Sequence, residues 1–312
     1  MHKVPFPSPA CWSIAFLFLP LLASGQAQAP QAKNPSAAAL VYRAFVENKN
    51  DLNALRNYLF TTDVSEVNFD KNDQPNKART THSEVFFIDG EPVERVLLEN
   101  GQPLAEKERR KQEKEIDEQM ADAASPNPKH REERQKQAAK ALGEEIELRE
   151  DVANAYTFTA LDKELCLGDH HCTRLAAEPR SDFKGKSRYR ELLPLLHGTL
   201  LIDTDSGQWV DIDAVMVRKL GGGLLYIGGE SNIHLHQDPV AEDLWVLTRA
   251  DVRLNVRLFW AHKNVRIVAT GRDFKRFGSS ARLVPTEPDA AKPAAEPPAG
   301  AESTTKPDVA KP

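Results

Sequence analysis

The stretch LWVLTRADVRLNVRLFW, residues 244–260, decides how the rest of the chain is read. Within it Ala250, Val252, Leu254, Val256 and Leu258 alternate with Asp251, Arg253, Asn255 and Arg257. A period of two is that of a β-strand, whose successive side chains point to opposite faces. The alternation recurs in QWVDIDAVMV, residues 208–217, where Val210, Ile212, Ala214 and Met216 oppose Asp211 and Asp213. One sheet face is therefore apolar and the other charged. Strands of this length curl as they twist, so the apolar face turns concave and needs a cover.

Further strands flank this pair. LLHGTLLID (195–203) precedes the second stretch, with the turn residues Thr204-Asp205-Ser206-Gly207 between them. SNIHLHQ (231–237) and NVRIVATGRDF (264–274) carry the same β character, and Gly221-Gly222-Gly223 reads as a crossover. Upstream, residues 58–70, 78–90 and 92–102 read as an antiparallel meander with turns at KNDQPNK (71–77) and Asp89-Gly90, ending at Asn100-Gly101. Ahead of the meander, Ser36 can cap a helix whose Val41, Phe45, Leu52 and Leu55 share one face. That helix is the expected cover.

Residues 105–150 break the β pattern with a charged run. Glu106 with Arg110, Lys111 with Glu115 and Lys114 with Glu118 are spaced i,i+4, which favours helix. Ser125-Pro126-Asn127-Pro128 divides the run in two. The result is an inserted helical pair, mostly solvated, with Ile116, Met120, Leu142 and Ile146 as apolar anchors. The fold class expected is α+β: a long curved antiparallel sheet, an unclosed half-barrel, covered by the N-terminal helix and interrupted by the charged pair.

The ends of the chain carry a different message. Lys3, the apolar run Ile14–Leu22 and Ala27-Gln28-Ala29 form the three parts of a secretory signal peptide, residues 1–29, cleaved after Ala29. The expected location is the periplasm or the exterior. Residues 284–312 are rich in Pro, Ala and Lys and read as a disordered tail, so one domain occupies 30–283. The net charge of −5, with no basic segment free of acidic neighbours, excludes nucleic acid as a partner.

CLGDHHC, residues 166–172, holds Cys166 and Cys172 around His170 and His171. The strand-like AYTFTALDKEL (155–165) and CTRLAAEP (172–179) place it at a hairpin tip. Export puts the thiols in an oxidising compartment, and opposed strand residues lie within disulfide reach. A disulfide clip is the first reading; free thiols and a metal site are the alternatives. His234 and His236 share the wet face of a strand, as do Asp203, Asp211 and Asp213, which are expected to pair with Arg249, Arg253 and Arg257. Gly185-Lys186-Ser187 lacks the leading glycine of a phosphate loop, and no nucleophile stands with an arranged base. Neither catalysis, nor a cofactor, nor a metal is expected.

Two blocks carry a family likeness: VFFIDGEPVERVLLENGQPLAEKERRKQEKEI (85–116) and FKGKSRYRELLPLLHGTLLIDTDSGQWVDIDAVM (183–216). They resemble a group of exported bacterial proteins similar in turn to the lipoprotein-localisation-factor (LolA/LolB-like) superfamily. The resemblance implies an unclosed β-barrel whose concave apolar face is plugged by helices and receives acyl chains. Leu200, Ile202, Val210, Ile212, Met216, Val252, Leu254 and Val256 are then either the lining of a lipid or acyl-chain site or ordinary core. The function expected is non-catalytic binding of an apolar ligand, in lipid or lipoprotein handling. The alternative is a structural protein of the cell envelope without a small-molecule ligand, contacting an envelope component through its C-terminal tail.

Overall fold

The computed structural model of the chain describes residues 36–47, 52–70, 72–125, 127–216, 220–222, 225–227, 231–241, 244–258 and 261–276. The expected signal peptide with its cleavage site, the tail, Gly223 and the Val256 side chain lie outside the described residues.

The N-terminal helix α1 spans Ala37–Tyr42, and its Ser36 cap accepts a hydrogen bond from the Ala39 amide at 3.2 Å. Arg43–Glu47 widens into a π-helical turn, and a single turn, α2 (Leu52–Leu55), follows. The meander forms as β1 (Tyr58–Phe69), β2 (Pro75–Ile88) and β3 (Glu91–Glu99), with the short β4 (Gln102–Pro103) beyond. Asp89, Gly90, Asn100 and Gly101 all adopt positive φ, the conformation their tight turns require. The insertion is two helices, α3 (Glu106–Ala123) and α4 (Pro128–Ala155).

The second half begins with the hairpin β5 (Tyr156–Cys166) and β6 (His170–Pro179). Then come β7 (Leu196–Asp203), β8 (Trp209–Met216) and β11 (Asn232–Ala241), and finally β12 (Leu244–Leu258) and β13 (Ala261–Arg276). The glycine stretch expected as a crossover instead contributes two short strands, β9 (Leu220–Gly222) and β10 (Leu225–Ile227). β10 pairs with both β9 and β12.

The thirteen strands among the described residues belong to one sheet, in the order β4-β3-β2-β1-β13-β12-β11-β8-β7-β6-β5, with β10 attached to β12 and β9 to β10. The first and last long strands meet at the centre, because β13 pairs with β1 from Tyr58↔Arg276 to Phe69↔Asn264. The sheet is unclosed, with β4 and β5 at its edges.

This architecture corrects the expected fold class. The protein is mainly β, not an α+β fold whose N-terminal helix covers the sheet. The six residues of α1 give roughly 9 Å of helix at 1.5 Å per residue. Eleven strands in sequence across the sheet span roughly 48 Å at 4.8 Å per spacing. A helix that short reaches one end only. Leu40, Val41, Ala44 and Phe45 pack on Leu175, Ala177, Leu200 and Ile202 of β6 and β7.

The charged insertion is mostly exposed, as its composition implies, but it is anchored at particular points. Its expected surface pairs form, with Arg110 to Glu106 at 2.6 Å and Lys111–Glu115 and Lys114–Glu118 both at 3.5 Å. Ile116 is buried as expected, yet Met120 and Ile146 are 38% and 44% exposed. In α4 the buried stripe is Glu145, Leu148, Asp151 and Ala155, with Val152 beside it. Gln112 of α3 brackets Val96 of β3, accepting from its amide at 2.8 Å and donating to its carbonyl at 3.1 Å. Arg134 of α4 pairs with Asp89 at the β2–β3 turn at 2.6 Å. Asp151 accepts from the amides of Lys186 and Ser187 at 3.1 and 2.8 Å, tying the loop after β6 to the same helix.

Candidate functional site

The apolar residues of the sheet converge on one cavity of about 210 Å³. Phe60 on β1 and Phe158 on β5 both line it, although seven strand spacings separate their strands in the sheet order. A flat sheet would hold those strands roughly 34 Å apart. The sheet therefore curls around the cavity, as its twist demands. Phe45 from the π-helical turn and Leu148 and Val152 from α4 close the wall the sheet leaves. Phe45 stacks on Trp209 of β8 with ring centroids 6.5 Å apart, and Phe60 stacks on Phe274 of β13 at 4.9 Å.

The polar groups on this wall are few. Gln237 donates to Gln208 at 3.4 Å, both side chains being buried. Glu145 of α4 is the buried carboxylate of the lining, its side chain only 5% exposed. Its Oε1 accepts from Nε of Arg149, one helical turn on, at 2.6 Å. Its Oε2 is buried and has no hydrogen-bond partner. Burial pushes the Glu145 carboxyl up to about 7, against the opposing pull of Arg149 and, more weakly, of Arg56. A half-paired carboxylate on an apolar wall is the sharpest chemical feature of the cavity.

The residues singled out from the sequence are distributed unevenly. Leu200 and Ile212 line the cavity. Ile202 is fully buried beneath α1. Leu254 packs against the sheet cluster of Val64, Leu235, Ala250, Val265, Ile267 and Ala269. Met216 and Val252 are buried but do not line the cavity. Val210 leaves the face of Ile212 because the β7–β8 register slips: Leu201 pairs with Asp211, but Ile202 pairs with Trp209. The extra residue turns Trp209 inward and sends Val210 to a separate cluster with Cys172, Leu201 and Trp245. Glu145, Leu148, Val152, Phe158, Trp209 and Phe274 also line the cavity, and none is among the residues that the sequence singles out as lining.

Cys166 and Cys172 form a disulfide with Cα atoms 5.9 Å apart. They are not directly opposed, since Cys166 pairs with His170 and Cys172 with Glu164, so the link runs diagonally across the hairpin. The hairpin closes through a three-residue tip in which Leu167 and Gly168 have positive φ. The hairpin docks on the β7–β8 turn. The His171 amide donates to Asp205 at 2.9 Å, and the Thr204 amide donates to the His171 carbonyl at 2.8 Å. His170, Asp203 and Asp205 bring donor atoms within 4.8 Å of one another. Asp203, however, already accepts from Ser206 Oγ at 2.6 Å and the Asp205 amide at 2.9 Å, and lies 2.7 Å from His170 Nδ1. That hydrogen bond holds His170 above its ordinary pKa.

The outer face carries a ladder of charge pairs, with partners other than those expected. Asp213 meets His234 at 2.6 Å and Asp211 meets His236 at 2.8 Å, rather than the arginines of β12. Burial works against protonation of His236, but the Asp211 hydrogen bond and the charges of Asp238 and Asp211 outweigh it and raise its pKa. Arg266 pairs with Asp251 at 2.8 Å and Arg253 with Asp73. The first three are cross-strand pairings and the last joins β12 to the β1–β2 turn, all on a wet surface.

No family model matches the chain, and no curated protein matches it. Among solved structures, the chain is similar to a DUF1329 family protein from Desulfovibrio piger, with 10% identity, 76% of this chain and 95% of that chain covered, and a TM-score of 0.27. It is also similar to MucB in complex with MucA(peri), with 11% identity, 76% and 94% covered, and a TM-score of 0.21. Superpositions at that level establish neither a family nor a function. Among the described residues no helix is long and apolar enough to cross a membrane.

Proposed function

We propose that the chain is an exported, non-catalytic binding protein whose cavity holds an acyl chain or another apolar ligand of similar width. The observation that carries this reading is the apolar cavity of about 210 Å³ lined by the sheet, the π-helical turn and α4. A tightly packed interior has few voids larger than a water molecule. A dry engineered cavity of about 150 Å³ already accepts benzene. Export is supported by the Lys3, Ile14–Leu22 and Ala27-Gln28-Ala29 pattern and by a disulfide suited to an oxidising compartment.

Native mass spectrometry of the protein purified from its own cell envelope tests the reading. The expected spectrum contains a bound lipid or lipid fragment that leaves on collisional activation. A bare chain that also fails to take up any medium-chain ligand would overturn it.

A further inference from the structure

The disulfide-closed hairpin and the turn it docks on bring together side chains of the kinds that bind metal ions. His170 comes from the start of β6, Asp203 from the end of β7 and Asp205 from the β7–β8 turn. One donor atom from each lies within 4.8 Å of the other two. Ligands at about 2.1 Å from one ion stand roughly 3–4 Å apart, so small side-chain shifts would close the set. His170 Nδ1 and Asp203 Oδ2 are already 2.7 Å apart. Asp203 is fully buried and is held by its own turn: Oδ1 accepts from the Asp205 amide at 2.9 Å and Oδ2 from Ser206 Oγ at 2.6 Å. Outer contacts of this kind fix the orientation of a ligand. The side chains of His170 and Asp205 are 43% and 51% exposed, so an ion reaches both from solvent. The charges also ask for a cation. Two carboxylates stand close together, with Asp169 acting on His170 from nearby, and one proton on His170 offsets a single negative charge.

We infer that His170, Asp203 and Asp205 form a binding site for a divalent first-row transition ion such as Zn²⁺. The ion takes the place of the proton between His170 Nδ1 and Asp203 Oδ2, and that proton leaves to solvent. Ser206 keeps its bond to Asp203, since a carboxylate oxygen has two lone pairs. Water completes the coordination on the exposed side. An imidazole beside two carboxylates suits Zn²⁺ and its neighbours, whereas Mg²⁺ and Ca²⁺ take oxygen ligands. The cysteines that the sequence offers as ligands have no part in this site, because the disulfide consumes them. The bound ion joins the start of β6 to the β7–β8 turn and so acts as a second clip beside the disulfide. The site is separate from the apolar cavity and holds whether or not that cavity takes a ligand.

The test is isothermal titration of Zn²⁺ into the untagged, disulfide-intact chain after treatment with a chelator. One saturable site per chain is expected, and a large excess of Mg²⁺ or Ca²⁺ should not empty it. His170→Gln and Asp205→Asn are each expected to weaken Zn²⁺ binding by about 100-fold or more, since even the groups that orient a ligand are worth about 10–100-fold. Both side chains are half exposed, so both variants should fold, which circular dichroism checks. Ser206→Ala, which removes a partner of Asp203, is expected to weaken binding by about tenfold and serves if a ligand variant fails to fold. His234→Gln, on the outer face of β11, is expected to bind as the parent does. Absence of a saturable site, displacement of Zn²⁺ by Mg²⁺ or Ca²⁺, undiminished binding in His170→Gln or Asp205→Asn, or loss of binding in His234→Gln would overturn the inference.

Discussion

Glu145 shows how a helix that is polar in composition becomes specific in position. It lies on the buried stripe of α4 with Leu148, Val152 and Ala155, spaced three, four and three residues apart. That spacing is present in the sequence, and the 3.6-residue period would have found it. Composition obscures it, because residues 105–150 are charged almost throughout, which points to solvent, and two of the apolar residues there, Met120 and Ile146, are exposed. The residue also has a pH signature. Its native pKa of about 7 stands above the ordinary 4.5, so between those values the native state holds a proton that the unfolded chain releases. Stability due to this group is present below pH 4.5 and is lost as pH rises through about 7. Glu145→Gln should therefore gain melting temperature over the parent at pH 8 but not at pH 4.5, as read by thermal denaturation. An equal offset at both pH values would show that the carboxyl does not titrate as its burial requires.

At the scale of elements, alternation was legible and register was not. The strands around residues 208–217 and 244–258 were readable because a period of two has no helical equivalent. The bulge at Ile202/Trp209, which moves Val210 to the opposite side from Ile212, depends on how two backbones pair, and neither strand announces it alone. The widening of the N-terminal helix into a π-turn at Arg43, which carries Phe45 against Trp209, is not announced by the sequence either. Among the described glycines, Gly198 on β7 leaves the least room for a side chain. A Cβ there would stand 1.7 Å from the Asp213 carbonyl oxygen. Gly198→Ala must push β8 away from β7 and is expected to cost about 1–3 kcal/mol or more, by analogy with overpacked cores. Urea denaturation monitored by circular dichroism measures it. A midpoint unchanged from the parent would mean that the two strands separate freely.

For the whole molecule, the cover of the sheet is shared. The π-helical turn supplies Phe45, and α4 supplies Leu148 and Val152, so the cavity wall draws on segments far apart in the chain. A ligand bound only by the folded state stabilises it by roughly 2.7 kcal/mol at a hundredfold excess over Kd. For a domain of this size that is a rise of about 5–10 °C in Tm. A neutral medium-chain ester should produce such a rise in the parent chain and less than half of it in Leu200→Trp, where the indole occupies the cavity. Calorimetry reads both, and equal shifts would place the ester elsewhere.

The unclosed sheet leaves a last consequence at β5. An edge strand exposes backbone donors and acceptors that invite a strand from a neighbouring chain, and Leu161 and Leu165 there are 51% and 66% exposed. The β5–β6 pairing is interrupted between Ala160 and Lys163, and Asp162, Lys163 and Glu164 stand at and just beyond the break. Irregular backbone and alternating charge guard the edge against fibril-like stacking. The same three residues are expected to oppose addition of a further strand along β5.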